Sequence, residues 1–100
     1  MTENQYMYVF VSQQLSHPQQ IVQASHASAC IGAKYGGDTY IVLCGAESEV
    51  GLIAIAEYLD GKKIDYHMYY EPDISSYTAL ATLPLAGADR RHLKKFKLLN

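Results

Sequence analysis

A helix-forming segment between two apolar segments constrains the fold of this chain most strongly. Its start is marked by the Ser16 hydroxyl as a cap, by Gln19 three residues later as the partner of a capping box, and by Pro18 in the first turn. The helix should end near Tyr35, because two glycines follow. Aromatic and β-branched residues dominate the flanking segments, which predicts a strand on each side of the helix. These strands are Gln5–Val11 and Asp38–Gly45.

The rest of the chain continues the alternation of helices and strands. The third and fourth strands are separated by a link too short for a helical crossover, so we expect them to pair antiparallel. The order β-α-β-α-β-β-α predicts one α/β domain, residues 1–100, with helices on both faces of a mixed, mostly parallel sheet. The predicted segments are a helix from Glu47 to Asp60, strands Ile64–Tyr70 and Tyr77–Leu83, the loop Glu71–Ser76, and a short basic helix Ala88–Phe96, followed by a tail whose leucines dock on the core.

Composition narrows the class of protein. Hydrophobic residues make up 49% of the chain and charged residues 18%, values typical of a compact globular domain rather than a disordered one. No apolar run reaches the roughly 18 residues that a membrane helix needs, and no basic and apolar leader opens the chain, so a cytoplasmic location is expected. Cys30 and Cys44 lack CxxC spacing and lie among apolar residues, which predicts buried, reduced thiols, with a disulfide or a metal site as the alternative.

Charge is unevenly distributed along the chain. The formal net charge of −2 gives no general argument for nucleic-acid binding, yet five of the eight Lys and Arg residues lie between Arg90 and Lys97. A local basic patch of this kind can hold a phosphate backbone. The alternative is a solvated helix face whose cations only complement the helix dipole.

Common catalytic motifs are absent from the sequence. No glycine-rich phosphate loop and no GxSxG elbow follows a predicted strand, and the four histidines show no metal-ligand spacing. What remains is a stripe on the first helix, where four residues fall within roughly 60° of one another: Gln19, Gln23, His26 and Cys30. If the first and third strands are parallel, the Glu71–Asp73 loop lies at the same edge of the sheet, near Ser75 and Thr78.

Two interpretations of this stripe stay open. A carboxylate beside an imidazole orients the ring and raises its proton affinity, which suits general acid–base chemistry. In the alternative, Gln19 only completes the helix cap, His26 is a structural histidine, and Glu71 and Asp73 only shape the turn.

The stretch Gln23-Ala-Ser-His26-Ala27 resembles the Q-x-x-H-A signature of type 2 peptidyl-tRNA hydrolases. The likeness in segment order covers nearly the whole chain. The resemblance implies a three-layer α/β/α sandwich with a four-stranded mixed sheet, commonly dimeric. It also implies hydrolysis of the ester between a peptide and tRNA, without a metal or organic cofactor. The partners that the resemblance implies are tRNA and a second copy of the chain; no membrane partner is expected, because no apolar run is long enough to span a bilayer.

The resemblance also assigns residues. Gln23 and His26 match the signature directly. The chain departs from the family pattern at two places. Gln19 stands where the family has a catalytic lysine, and the family's Asp-Ala-Gly…Thr loop is changed, with Asp73 and Thr78 as the nearest equivalents of its Asp and Thr. A glutamine stabilises negative charge far less than a lysine, so a homologue that only binds RNA or protein is the alternative function. The expected catalytic residues are His26, Asp73, Gln19, Gln23 and Thr78, and the expected substrate-binding residues are Glu71, Ser75, Arg90, Arg91, Lys94 and Lys95.

Overall fold

The computed structural model describes residues 4–36 and 38–99. The strands and helices follow the predicted order, with ends that shift by a few residues. A 3₁₀-turn, Pro72–Ile74, joins the last two strands, and a longer 3₁₀-segment, Gly87–Leu93, follows the sheet. The elements are β1 (Tyr6–Ser12), α1 (His17–Tyr35), β2 (Tyr40–Ala46), α2 (Glu49–Gly61), β3 (Tyr66–Glu71) and β4 (Ser76–Thr82).

The four strands form one mixed sheet in the order β2-β1-β4-β3. β1 and β2 are parallel, whereas β4 runs antiparallel to both β1 and β3. Three strands therefore share one direction, and the predicted antiparallel pairing of β3 with β4 is confirmed. Because β1 and β3 both oppose β4, their carboxyl ends lie at the same edge of the sheet, as the sequence argument required.

The two helices cover opposite faces of the sheet, which gives the three-layer α/β/α sandwich. On one face, Ala27 and Ile31 of α1 pack against Val9 of β1 and the small residues Ala79 and Ala81 of β4. On the other face, α2 packs against alternate strand residues in a second buried cluster. That cluster includes Phe10, Leu80, Leu52, Leu59 and Leu93.

The predicted start of α1 is confirmed. The Ser16 hydroxyl accepts a hydrogen bond from the Gln19 backbone N–H at 3.3 Å, and Pro18 lies in the first turn. The capping box is only half formed, because no bond from the Gln19 side chain to the Ser16 N–H is found among the described residues. The helix ends at Gly36, whose φ of 66° is a conformation that glycine adopts without strain and whose N–H donates to the Gly32 carbonyl at 2.8 Å.

The predicted basic α-helix near the C-terminus is wrong. The segment Gly87–Leu93 is a 3₁₀-helix, and its i to i+3 spacing continues in the bond from the Phe96 N–H to the Leu93 carbonyl, 3.2 Å. The physical reason lies in packing. Leu93 is buried, and the Phe96 ring meets the Phe10 ring edge-on at 5.0 Å, so side chains three residues apart both face the α2 layer. An isolated α-helix of this length is only marginally stable, so packing against the core determines which helical form the segment adopts.

The tail and the cysteines follow the predictions only in part. Leu99 donates its backbone N–H to the Leu43 carbonyl at 2.9 Å and packs on the core, but Leu98 is 65% exposed. Cys44 is buried, and burial raises its pKa to about 11. The prediction for Cys30 is wrong, because this thiol lies on an exposed flank of α1 while Ile31 takes the sheet-facing position.

α1 leaves one strip of the sheet uncovered. It packs on β4, β1 and β3, so the outer part of β2 and one flank of the helix remain open. Ile21, Ile41 and Leu43 are exposed there and line an apolar groove of about 380 Å³. Among the described residues, no helix has the length and apolar character needed to cross a bilayer.

Candidate functional site

A β-bulge places Thr78 under α1. Tyr69 of β3 pairs with Ala79, but the next residue, Tyr70, pairs with Tyr77, so Thr78 is left without a partner across the strands. One extra residue reverses the alternation of side chains along a strand. Thr78 and Ala79, although consecutive, therefore both face α1.

Gln23 joins Thr78 to Glu71 in a chain of hydrogen bonds. The Thr78 hydroxyl donates to Gln23 Oε1 at 2.8 Å, and Gln23 Nε2 donates to Glu71 Oε1 at 2.9 Å. Thr78 is 1% exposed and Gln23 6% exposed, so the amide is shielded from water and both of its ends are fixed. We call this chain, Thr78–Gln23–Glu71, the amide relay.

Glu71 ends the amide relay as an oriented carboxylate. It is the last residue of β3, and its second oxygen, Oε2, accepts from the Asp73 backbone N–H at 3.4 Å, where it caps the 3₁₀-turn. The hydrogen bond from Gln23, the Asp73 N–H and the positive charge of His26 hold the pKa of Glu71 below its ordinary value. The carboxylate is thus ionised near neutral pH and lies within electrostatic range of His26.

His26 lies flat on Tyr69. The two ring centroids are 4.7 Å apart and the ring planes differ by 3°, the geometry of an offset parallel stack. Tyr69 reaches the α1 side because it precedes Glu71 by two residues on β3, and it packs on the cluster that contains Ala79. Burial raises the pKa of Tyr69, and the negative charge of Glu71 raises it further. The phenol is therefore neutral near pH 7.

The other predicted site residues on this side of the sheet do not join the amide relay. Gln19 is exposed one turn before Gln23, and its backbone N–H takes part in the helix cap. Asp73 is exposed and contributes its backbone N–H, so Glu71, not Asp73, supplies the carboxylate beside Gln23. Ser75 adopts a left-handed conformation, φ 50°, at the turn into β4.

The predicted basic residues lie in the other outer layer, with α2. The Arg90 guanidinium stacks 3.5 Å from the centre of the Tyr6 ring and donates to the Tyr8 hydroxyl at 3.0 Å. Lys95 Nζ lies 3.7 Å from the centre of the Tyr58 ring. Arg91 donates to the Ala88 carbonyl within its own segment, and Lys94 is exposed beside it. The sheet thus separates these cations from His26.

Sequence reasoning missed one residue of the site, Tyr69. Tyr69 could have been found from strand alternation, since it shares a face with Glu71. Cys30, which the sequence placed on the same stripe as His26, lies one turn after it on α1 and is exposed. The bulge that moves Thr78 to this face leaves no recognisable signal in the sequence.

The arrangement is suited to proton transfer and hydrogen bonding. An accessible imidazole stacks on a neutral phenol within electrostatic range of an ionised carboxylate, and an anchored amide fixes the carboxylate. Within residues 4–36 and 38–99, no three His, Cys, Asp or Glu side chains are grouped so as to hold a metal ion.

Comparison with known proteins supports the fold. No protein-family model matches the chain. No curated protein matches it either. Among solved structures, the chain is similar to a protein of unknown function from Agrobacterium tumefaciens, with a TM-score of 0.71 and 15% sequence identity. The similarity covers 99% of this chain and 100% of that chain, so the whole α/β architecture is shared.

Proposed function

We propose that this protein is a peptidyl-tRNA hydrolase-like enzyme that cleaves the ester between a peptide and the 3′ end of tRNA. The observation that carries the proposal is the amide relay, which ends in an ionised Glu71 and is anchored on α1 by Gln23, three residues before His26. The Q-x-x-H-A resemblance supports it, because Gln23 and His26 take part in one site. The chemistry of an ester needs no more than a positioned base, water and a donor for the developing oxyanion.

His26 is the general base in this proposal. Its imidazole accepts a proton from a water molecule as the water oxygen bonds to the ester carbonyl carbon. The tetrahedral intermediate then expels the 3′ oxygen of the tRNA, and His26 returns the proton to that oxygen. Glu71 stabilises the imidazolium formed between the two steps, and Gln23 keeps the carboxylate in place.

The weak point of the site is oxyanion stabilisation. The exposed Gln19 side chain, one turn before Gln23, offers a neutral amide where the resembled family has an ammonium group. Loss of a single oxyanion donor typically costs on the order of a hundredfold or more in rate. We therefore expect slow turnover from the natural sequence.

A second candidate function is a binding module for RNA, and the distribution of charge favours it. Residues 5–33, which include most of α1, contain no Asp, Glu, Lys or Arg. The cations that stack on aromatic rings, Arg90 and Lys95, lie instead on the α2 layer. Cations and aromatic rings in one surface suit a phosphate backbone and unstacked bases.

One experiment separates the two functions. Purified protein is mixed with peptidyl-tRNA, and release of peptide is followed together with binding of deacylated tRNA at several salt concentrations. Hydrolysis by the natural protein supports the enzyme. The binding module predicts that tRNA binds without being hydrolysed. That binding should weaken steeply as salt is added and in the variants Lys94→Gln and Lys95→Gln, and this result counts against the hydrolase.

We further propose a cytoplasmic homodimer, as the resemblance suggests. The apolar groove between α1 and β2 supports the dimer, because Ile21 and Ile41 are 69% and 58% exposed on a surface without charged residues. Sedimentation of the natural protein and of Ile41→Glu tests it. Val50→Glu is the matched control, because Val50 is 75% exposed on α2. A natural protein that sediments as a monomer contradicts the proposal.

A further inference from the structure

The His26 ring stacks on Tyr69, and Tyr69 is itself held by strand pairing and by packing under α1. Tyr69 pairs with Ala79 across the sheet, packs on the cluster under α1, and follows Met68, which faces the opposite layer. Its backbone is thus fixed by the β3–β4 ladder. A ring fixed in this way is a rigid platform for a side chain on the helix above.

The sequence allows the helix to come close enough for the stack. The sheet residues beneath α1, Ala79 and Ala81, are small and fully buried, and Ala27 follows His26 on the helix. Small residues at a helix–sheet interface shorten the distance between the two layers. His26 can then lie flat against Tyr69 although its own side chain is largely exposed.

A parallel stack leaves the working edge of the imidazole free. Both ring nitrogens lie in the ring plane, so a neighbour stacked on the face does not block them. An exposed histidine on a helix would otherwise sample several rotamers, and restricting it to one rotamer costs conformational entropy. Because the stack fixes the rotamer before the substrate binds, this cost does not add to the activation barrier. The negative face of an aromatic ring also favours the protonated form of the imidazole.

We propose that Tyr69 is the positioning residue of His26, because the parallel stack of the two rings holds the imidazole in one plane. This inference rests on the proposed role of His26 as the general base. It assigns the effect to the aromatic face of Tyr69 and not to its hydroxyl. Tyr69→Phe should therefore preserve the function, whereas Tyr69→Leu, which keeps an apolar side chain on the cluster, should lose it.

The first readout is spectroscopic and independent of turnover. Protons above an aromatic face are shielded, so the ring protons of His26 should resonate upfield in the natural protein and in Tyr69→Phe. They should move toward unshielded values in Tyr69→Leu. The His26 lines are assigned by their loss in His26→Asn. Tyr70→Leu is the matched control, because Tyr70 is the next residue of β3 and stacks edge-on with Tyr77.

The second readout is kinetic. Since a small misplacement of a catalytic group can cost about a hundredfold, we expect Tyr69→Leu to lower kcat for peptidyl-tRNA by roughly ten- to a hundredfold with little change in KM. Tyr69→Phe should stay within about twofold of the natural protein. Circular dichroism checks the fold of each variant, and Tyr69→Met replaces Tyr69→Leu if the latter does not fold.

The outcomes are distinguishable. Unchanged His26 lines in Tyr69→Leu overturn the inference, and so does a Tyr69→Phe variant that is as slow as Tyr69→Leu, because the hydroxyl would then be responsible. If the natural protein hydrolyses no peptidyl-tRNA, the proposed function fails. In that case the shift of the His26 lines alone still supports or overturns positioning by Tyr69.

Discussion

Thr78→Val tests the amide relay at its buried end. Valine has nearly the shape of threonine, so the substitution removes the hydroxyl that donates to Gln23 Oε1 at 2.8 Å and changes little else. Because Thr78 and Gln23 are 1% and 6% exposed, water cannot easily replace the lost donor. Leaving a buried acceptor unpaired costs about 1–3 kcal/mol of the free energy of unfolding. For a domain of this size, each kcal/mol lowers Tm by about 4–8 °C.

The assay is urea denaturation followed by circular dichroism, run as a double-mutant cycle with Gln23→Leu. Replacing both partners by apolar groups removes the unpaired acceptor, so the double variant should lose less stability than the sum of the single losses. Thr39→Val is the control, because its hydroxyl bonds the Gln5 carbonyl at an exposed position, and its effect should stay within about 0.5 kcal/mol. A Thr78→Val variant as stable as the natural protein, or strictly additive losses, would refute the reasoning.

Three further predictions concern the same site and the two thiols. Gln19→Lys should raise the rate of peptidyl-tRNA hydrolysis by about tenfold or more, because an ammonium group stabilises an oxyanion better than an amide; a slower variant counts against the oxyanion argument. The folded state lowers the pKa of Glu71, so its contribution to stability is present above the ordinary value of 4.5 and is lost as the pH falls through the folded value. When the pH is lowered from 7 to 3, the free energy of unfolding measured with urea should therefore fall less for Glu71→Gln than for the natural protein. An equal fall in both proteins contradicts this prediction. Under native conditions a thiol reagent should label Cys30 and spare Cys44 until urea unfolds the protein, as mass spectrometry of the peptides will show; early labelling of Cys44 would be inconsistent with its burial.

The order of elements could be predicted because local signals and the global fold agree. Three local signals favour the same topology: the cap at Ser16, the glycines after α1, and the short link between the last two strands. The approach of Glu71 to Gln23 was predictable as well, since parallel strands end at one edge of the sheet.

Other features depend on tertiary packing that the sequence does not display. The bulge at Thr78 changes which face a side chain takes, and one residue is enough to do so. Leu93 and Phe96 turn the basic segment into a 3₁₀-helix because both must reach the α2 layer, and this packing also carries the cations away from His26. The number of residues between His26 and the basic segment could not reveal that the two lie on opposite sides of the sheet.

The measurement that tests the central claim most directly is the hydrolysis of peptidyl-tRNA by the natural protein, His26→Ala and His17→Ala. His17 begins the same helix and is exposed, so its replacement controls for loss of an imidazole from α1. We expect His26→Ala to lower kcat/KM by about a hundredfold or more, as removal of a general base does, while His17→Ala stays close to the natural value. A His26→Ala variant with full activity, or equal losses in both variants, would contradict the assignment of His26 as the general base.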